Sequence, residues 1–276
     1  QPDMIQKFLA GGYSVEDFVN LNTSGQSYVG WNWVANGGVS STNNDGSITS
    51  VVQANQTAGF SIVTYTGTGS NATVGHGLSS APEWVFFKNR DDLNEGWPNY
   101  HKGMTSASYI VGLNNSNAQA STPSDFNSTA PTSTVFSVGT NARTNTSSNN
   151  YIAYCWHGVD GFSKFGKYTG NGSSDGTFVA TNFLPSFVMI KRIDSTGSWF
   201  MYDNQRDSFN PVNKGLFADL TSVESVQSAG AVDFLSNGYK IRGSGSAINA
   251  SGGTYIYMAF ASHSFLGDGT SPVTAR

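Results

Sequence analysis

The chain has 276 residues, a formal net charge of −4 and 12% charged side chains, about half the usual share of ~25%. Its 14 Lys and Arg are spread thinly, so the basic stripe that tracks nucleic-acid phosphates is missing. No run of about 18 apolar residues is present to insert in a membrane.

At 38% hydrophobic the chain has enough apolar material for a core, and its length suits two domains better than one. A 13% aromatic share and 32 Gly, with Ser, Thr and Asn between apolar stretches, predict short strands joined by tight turns. The single cysteine, Cys155, excludes an internal disulfide. The chain opens on Gln1 rather than Met, which leads us to expect a processed chain or part of a longer product.

The order of the chain is set by internal repetition. Phe8–Tyr13 returns as Phe234–Tyr239, 226 residues on, and Asn22–Val29 returns as Asn249–Ile256, 227 residues on. Residues 1–34 therefore read as the last strands of a β-sandwich unit whose first part is absent. Such a fragment leaves backbone groups and an apolar face to be covered by another chain or by an upstream segment. Residues 35–58 are polar and nearly free of aromatics, and read as a linker with a turn at Asn44-Asp45-Gly46.

Residues 59–160 form the first full unit and residues 161–266 the second, followed by a tail over 267–276. Gly59–Ser70 recurs 102 residues later as Gly161–Ser173, Pro82–Lys88 recurs 103 later as Pro185–Lys191, and Tyr151–Trp156 recurs 104 later as Tyr255–Phe260. Phe60 and Ile62 share one strand face, while Trp84–Phe87 suits a central strand buried on both sides. Only Leu216–Val226 has a pattern fit for a short helix. Seven or eight short strands per ~100 residues is the pattern of a β-sandwich. The predicted fold is all-β: tandem antiparallel sandwiches of jelly-roll type, one partial and two complete.

Glycan hydrolysis needs two carboxylates about 5–10 Å apart, and no alternating acid pair is present. Asp203 and Asp207 are the nearest spacing and read as solvated turn acids beside Arg206. His76, His101, His157 and His263 make none of the short metal spacings. Cys155 reads as a small buried residue. Asn43–Ser47 and Ser173–Gly176 offer Ca²⁺-type oxygens but lack the further acids of a dedicated loop, so they read as turns. Lys88 and Lys191 close equivalent strands, blunting a strand end or pairing with a carboxylate. The remaining candidates are aromatics beside polar turns: Trp97, Tyr100 and His101 in the first unit, Trp199, Tyr202 and Asp203 in the second. They would form shallow glycan sites, with rings stacking on sugar C–H faces; the alternative is that they fill the core.

The runs Gly59–Ser70, Gly75–Pro82, Tyr151–Phe165, Tyr168–Ser173, Phe187–Arg192, Asp233–Ile241 and Asn249–Ala261 resemble a repeat of tail-fibre and other virion proteins of tailed bacteriophages, especially marine ones. The resemblance implies a concanavalin A-like sandwich of the lectin or glucanase type, self-association as a homotrimer, contact with other virion proteins and a place on the virion surface. It supplies no catalytic motif. The expected function is non-enzymatic attachment to a host-cell surface glycan or lipopolysaccharide, without cofactor or metal. The alternatives are a purely structural fibre, appendage or capsid-decoration protein and, third, a glycan depolymerase.

Overall fold

A computed structural model describes residues 5–9, 12–16, 21–35 and 38–262. His263 and the tail over 267–276 lie outside the described residues. The protein is nearly all β, with 41% strand and 5% helix.

An N-terminal hairpin joins β1 (Ile5–Leu9) to β2 (Gly12–Val15). The first sandwich contains β3 (Ser41–Asn43), β4 (Ser50–Asn55), β5 (Phe60–Thr66), β6 (Ala72–Gly75), β7 (Trp84–Asn89), β8 (Pro98–His101), β9 (Tyr109–Gly112), β10 (Ala120–Ser121), α1 (Pro123–Phe126), β11 (Val135–Val138), α2 (Ala142–Asn145) and β12 (Asn150–Trp156). The second contains β13 (Ser163–Thr169), β14 (Phe178–Ala180), β15 (Pro185–Arg192), β16 (Phe200–Asp203), β17 (Lys214–Phe217), β18 (Ser225–Val226), β19 (Val232–Leu235), β20 (Gly238–Ile241), α3 (Ser246–Asn249) and β21 (Thr254–Ala261).

Among the described residues the first sandwich packs a large sheet, ordered β10-β9-β8-β7-β12-β5-β4-β3, over the pair β11-β6. The second packs β13-β21-β15-β16-β17-β18 over β14-β20-β19. All these ladders are antiparallel. Period-two alternation divides each central strand between two cores. Tyr151, Ala153 and Cys155 of β12 face the interior of the first sandwich, whereas Tyr154 and Trp156 face the other way. In β21, Tyr255, Tyr257 and Ala259 enter the second interior, and Ile256, Met258 and Phe260 face outward.

Those outward faces meet. Phe60, Trp84, Val111 and Trp156 of the first sandwich and Phe165, Phe187, Met189, Trp199 and Met258 of the second form a third, shared core. The central strands of each large sheet are thus enclosed on both faces, as expected for the apolar run Trp84–Phe87. Trp31 and Trp33 pack on the rim of this core, Trp31 against Phe187 at 5.5 Å and Trp33 against Trp156 at 6.1 Å.

Two expectations are corrected. The stretch 35–58 supplies two strands as well as connecting chain: β4 pairs with β5 from Ser50↔Tyr65 to Asn55↔Phe60. Ile48, Ser50 and Val52 alternate inward and are buried, a period-two signal masked by polar neighbours. Leu216–Val226 is not helical either. Its ends belong to β17 and β18, and Leu220 and Val223 are exposed, so the segment has no buried apolar stripe to hold a helix.

Candidate functional site

The six residues expected to contact glycan lie mainly in the interior. Tyr100 lies in the first core, 6.1 Å from Phe126 in an edge-on contact. His101 is buried under Trp84 with ring centroids 4.5 Å apart, and its Nδ1 accepts the Gly103 N–H at 2.8 Å. Burial lowers the His101 pKa to about 3, so the ring is neutral. Trp199 is fully buried in the shared core, 5.8 Å from Trp84, and its Nε1–H donates to the Gly112 carbonyl at 2.9 Å. Tyr202 is buried and donates its hydroxyl hydrogen to the Gly230 carbonyl; burial raises its pKa far above that of a free phenol. Asp203 is buried and ion-paired with Arg206 at 2.6 Å. These five have no face to offer a sugar, which corrects the expectation for them. Trp97 is half-buried.

Asp203 also accepts from the Trp31 indole at 3.2 Å, so it is an interior anchor and not a solvated turn acid. Asp207 accepts the Asn213 N–H at 2.8 Å and so caps a turn. Lys191 is fully buried and departs from both roles expected of it. Its ammonium donates to the carbonyls of Ser116 at 3.2 Å, Asn117 at 2.8 Å and Arg192 at 2.7 Å, pinning a loop of the first sandwich to the second. Lys88, its repeat equivalent, donates to the Glu95 carbonyl. Asp45 accepts from the Asn43 amide at 2.9 Å, and Asp175 pairs with Lys240 at 2.8 Å. Among the described residues, no three His, Cys, Asp or Glu side chains converge.

A polar cavity lies where one sandwich hands over to the next. About 550 Å³ in volume, it is lined by Glu83, Lys102, Asp160, Ser163, Lys164 and Asn182, together with Gly158, Gly161 and Thr181. Glu83 immediately precedes β7, and its backbone N–H donates to the Trp156 carbonyl at 2.7 Å. Lys102 follows β8 and closes an ion pair with Glu83 at 2.8 Å. The turn from β12 to β13 brings Asp160, while Lys164 reaches across to the Ala180 carbonyl at 2.9 Å. Asn182 sits at φ +71 beyond β14. The Glu83 charge reaches below the cleft: with burial as the main cause, it helps push the Tyr257 phenol up to about 12. Two carboxylates, two ammonium groups, hydroxyls and an amide make a charge-balanced hydrogen-bonding surface, suited to hydroxyl-rich ligands. The pattern was missed because its members come from four separate elements with no shared spacing.

A different constellation recurs in both sandwiches. Tyr65 stacks on Tyr151 with centroids 5.2 Å apart, and Tyr168 stacks on Tyr255 at 4.9 Å. Each lies beside a buried asparagine at the end of a short helix. Asn145 accepts the Thr68 N–H at 2.8 Å and donates to the carbonyls of Ser70 and Gly139 at 2.6 and 2.7 Å. Asn249 accepts the Asn171 N–H at 3.0 Å and donates to the carbonyls of Ser173 and Gly243 at 2.8 and 2.9 Å. The loops they clamp turn at Gly69 (φ +74) and Gly172 (φ +69), a left-handed conformation that favours glycine. This is a structural latch with no access for a ligand.

Fold and constellation together define a tandem all-β sandwich protein with a repeated buried latch and a polar cleft at the unit junction. The chain belongs to the family described as domain of unknown function DUF7483, whose model matches residues 1–264. No curated protein and no solved structure matches it.

Proposed function

We propose that the chain is a non-enzymatic structural module of a bacteriophage virion surface appendage, such as a tail fibre. The observation that carries this reading is the shared core: Trp199, one of the aromatics expected to meet sugars, joins the two sandwiches to each other, while Tyr100 and Tyr202 fill their interiors. The resemblance of the repeat to virion proteins supports the setting. The test is binding of the labelled chain to candidate host cells, with and without periodate oxidation of their glycans, alongside immunogold labelling of phage particles. The expected result is labelled particles and no periodate-sensitive binding; unlabelled particles overturn the proposed location.

A second reading, attachment to a host glycan, is favoured by one observation, the charge-balanced cleft between Glu83, Lys102, Asp160 and Lys164. Linked copies along an appendage would multiply weak contacts there. Periodate-sensitive binding that is lost in both Asp160→Ala and Lys164→Ala, and kept in Trp97→Ala, would establish this reading over the purely structural one.

A further inference from the structure

The N-terminal strands reproduce part of a sandwich without the sheet on which that part normally rests. The hairpin β1–β2 pairs Ile5 with Val15, Lys7 with Ser14, Phe8 with Tyr13 and Leu9 with Gly12. The hairpin β19–β20 pairs Val232 with Ile241, Asp233 with Lys240, Phe234 with Tyr239 and Leu235 with Gly238. The ladders correspond pair for pair, with Gln6 the extra residue at the register shift of β1.

The correspondence continues past the hairpin. Residues 28–35 stand for the strand β21, with Trp31 and Trp33 at the places of Met258 and Phe260, and all four side chains are turned to the shared core. Tyr13 lies against Gly30, so close that a Cβ there would meet its hydroxyl. In the second sandwich the equivalent Tyr239 lies 5.6 Å from Tyr257, which stands in the place of Gly30.

What covers these strands differs. Val232, Phe234 and Tyr239 are 0% exposed beneath the large sheet of the second sandwich, whereas Ile5, Phe8 and Tyr13 are 42%, 78% and 38% exposed. β21 is flanked by β13 and β15; among the described residues no strand pairs with 29–34. A bare two-stranded hairpin is marginal in water, and an open strand edge is a template for further pairing.

We infer that residues 5–9, 12–16 and 21–35 are the closing strands of a third sandwich and dock onto the opening strands of a separate unit of this same repeat. Equivalents of β13 and β15 pair along both edges of 29–34, and an aromatic and aliphatic face like that of Val188, Ile190 and Tyr202 covers Ile5, Phe8 and Tyr13. The described part of a second copy cannot fill this role, because the central strands of both its large sheets are already enclosed on both faces. The inference stands independently of the virion reading.

The test compares the chain as it stands with one carrying an extra copy of its own residues 161–231 ahead of Gln1, which supplies equivalents of β13 to β18. Hydrogen exchange at the amides of 29–34 is expected to slow at least about 100-fold in the extended chain; equal rates in the two chains overturn the inference. A second measurement uses Phe8→Asp in the chain as it stands. It is expected to leave the melting temperature unchanged and to reduce hydrophobic-dye fluorescence. A fall in melting temperature would mean that the face is already covered within the chain, and a dimer dissociated by Phe8→Asp would mean that a second copy is the occupant; either result overturns the inference.

Discussion

Asn145 and Asn249 show how one side chain can close a sandwich. Each is fully buried, and its amide satisfies backbone groups from separate loops that would otherwise be buried without partners. Truncation strands those groups, so Asn145→Ala and Asn249→Ala should each cost about 2–4 kcal/mol, read as a fall in the urea midpoint. The buried histidines act through pH. Burial holds His76 near a pKa of about 4 and His101 near about 3, against 6.5 for a free imidazole. Above pH 6.5 neither state binds the proton; below it the unfolded chain does and the fold does not. Stability should therefore fall by about 1.4 kcal/mol per pH unit for each histidine until the folded pKa is reached. A His76→Gln, His101→Asn double variant should show a flatter curve of urea midpoint against pH between 6.5 and 4. The histidines' wide spacing was compatible with structural and with surface roles, and His76 and His101 lie in the interior. The asparagine latch was hidden because Asn is abundant and a buried one carries no spacing signal.

At the scale of elements, repetition made the strands legible where apolar residues alternate. Tyr151–Trp156 and Tyr255–Phe260 are the central strands β12 and β21, and Trp84–Phe87 is enclosed on both faces. Legibility failed where long-range pairing overrides local composition. β4 is held by its ladder to β5 and by only a few inward side chains. Lys191 could not be read either, since a lysine closing a strand looks solvated until the neighbouring loop folds over it. Two of its three carbonyl partners, Ser116 and Asn117, belong to the first sandwich, so its ammonium holds the first sandwich to the second. Lys191→Met should thus destabilise the chain by about 2–4 kcal/mol at pH 7, by removing three charge-assisted hydrogen bonds, two of them across the unit boundary. Burial lowers its pKa from 10.5 to about 8, so the fold disfavours the charged form. The full penalty applies below pH 8 and is relieved above it. Measured relative to Lys191→Met, the parent chain should therefore gain stability between pH 8 and about 10.

For the whole molecule, the decisive fact is that two sandwiches use three cores. Sequence periodicity shows that a strand has two apolar faces but not what lies against the second, so Trp97, Tyr100, Trp199 and Tyr202 were compatible both with a sugar-binding surface and with an interior. Trp199 answers this most directly: it contacts Trp84 across the unit boundary, and its indole donates to Gly112 of the other sandwich. Because the shared core joins the large sheets of both units, loosening either should expose apolar surface on the other, and the parent chain should unfold in one transition. Trp199→Ala removes a large buried ring and a cross-unit hydrogen bond, at a cost of about 3–5 kcal/mol. Since that loss falls on the joint itself, differential scanning calorimetry should show the single transition resolving into two, one for each sandwich. A single transition merely moved to lower temperature would show that each sandwich depends on the other even when their joint is weakened. Melting unchanged from the parent would mean that Trp199 contributes nothing to the joint.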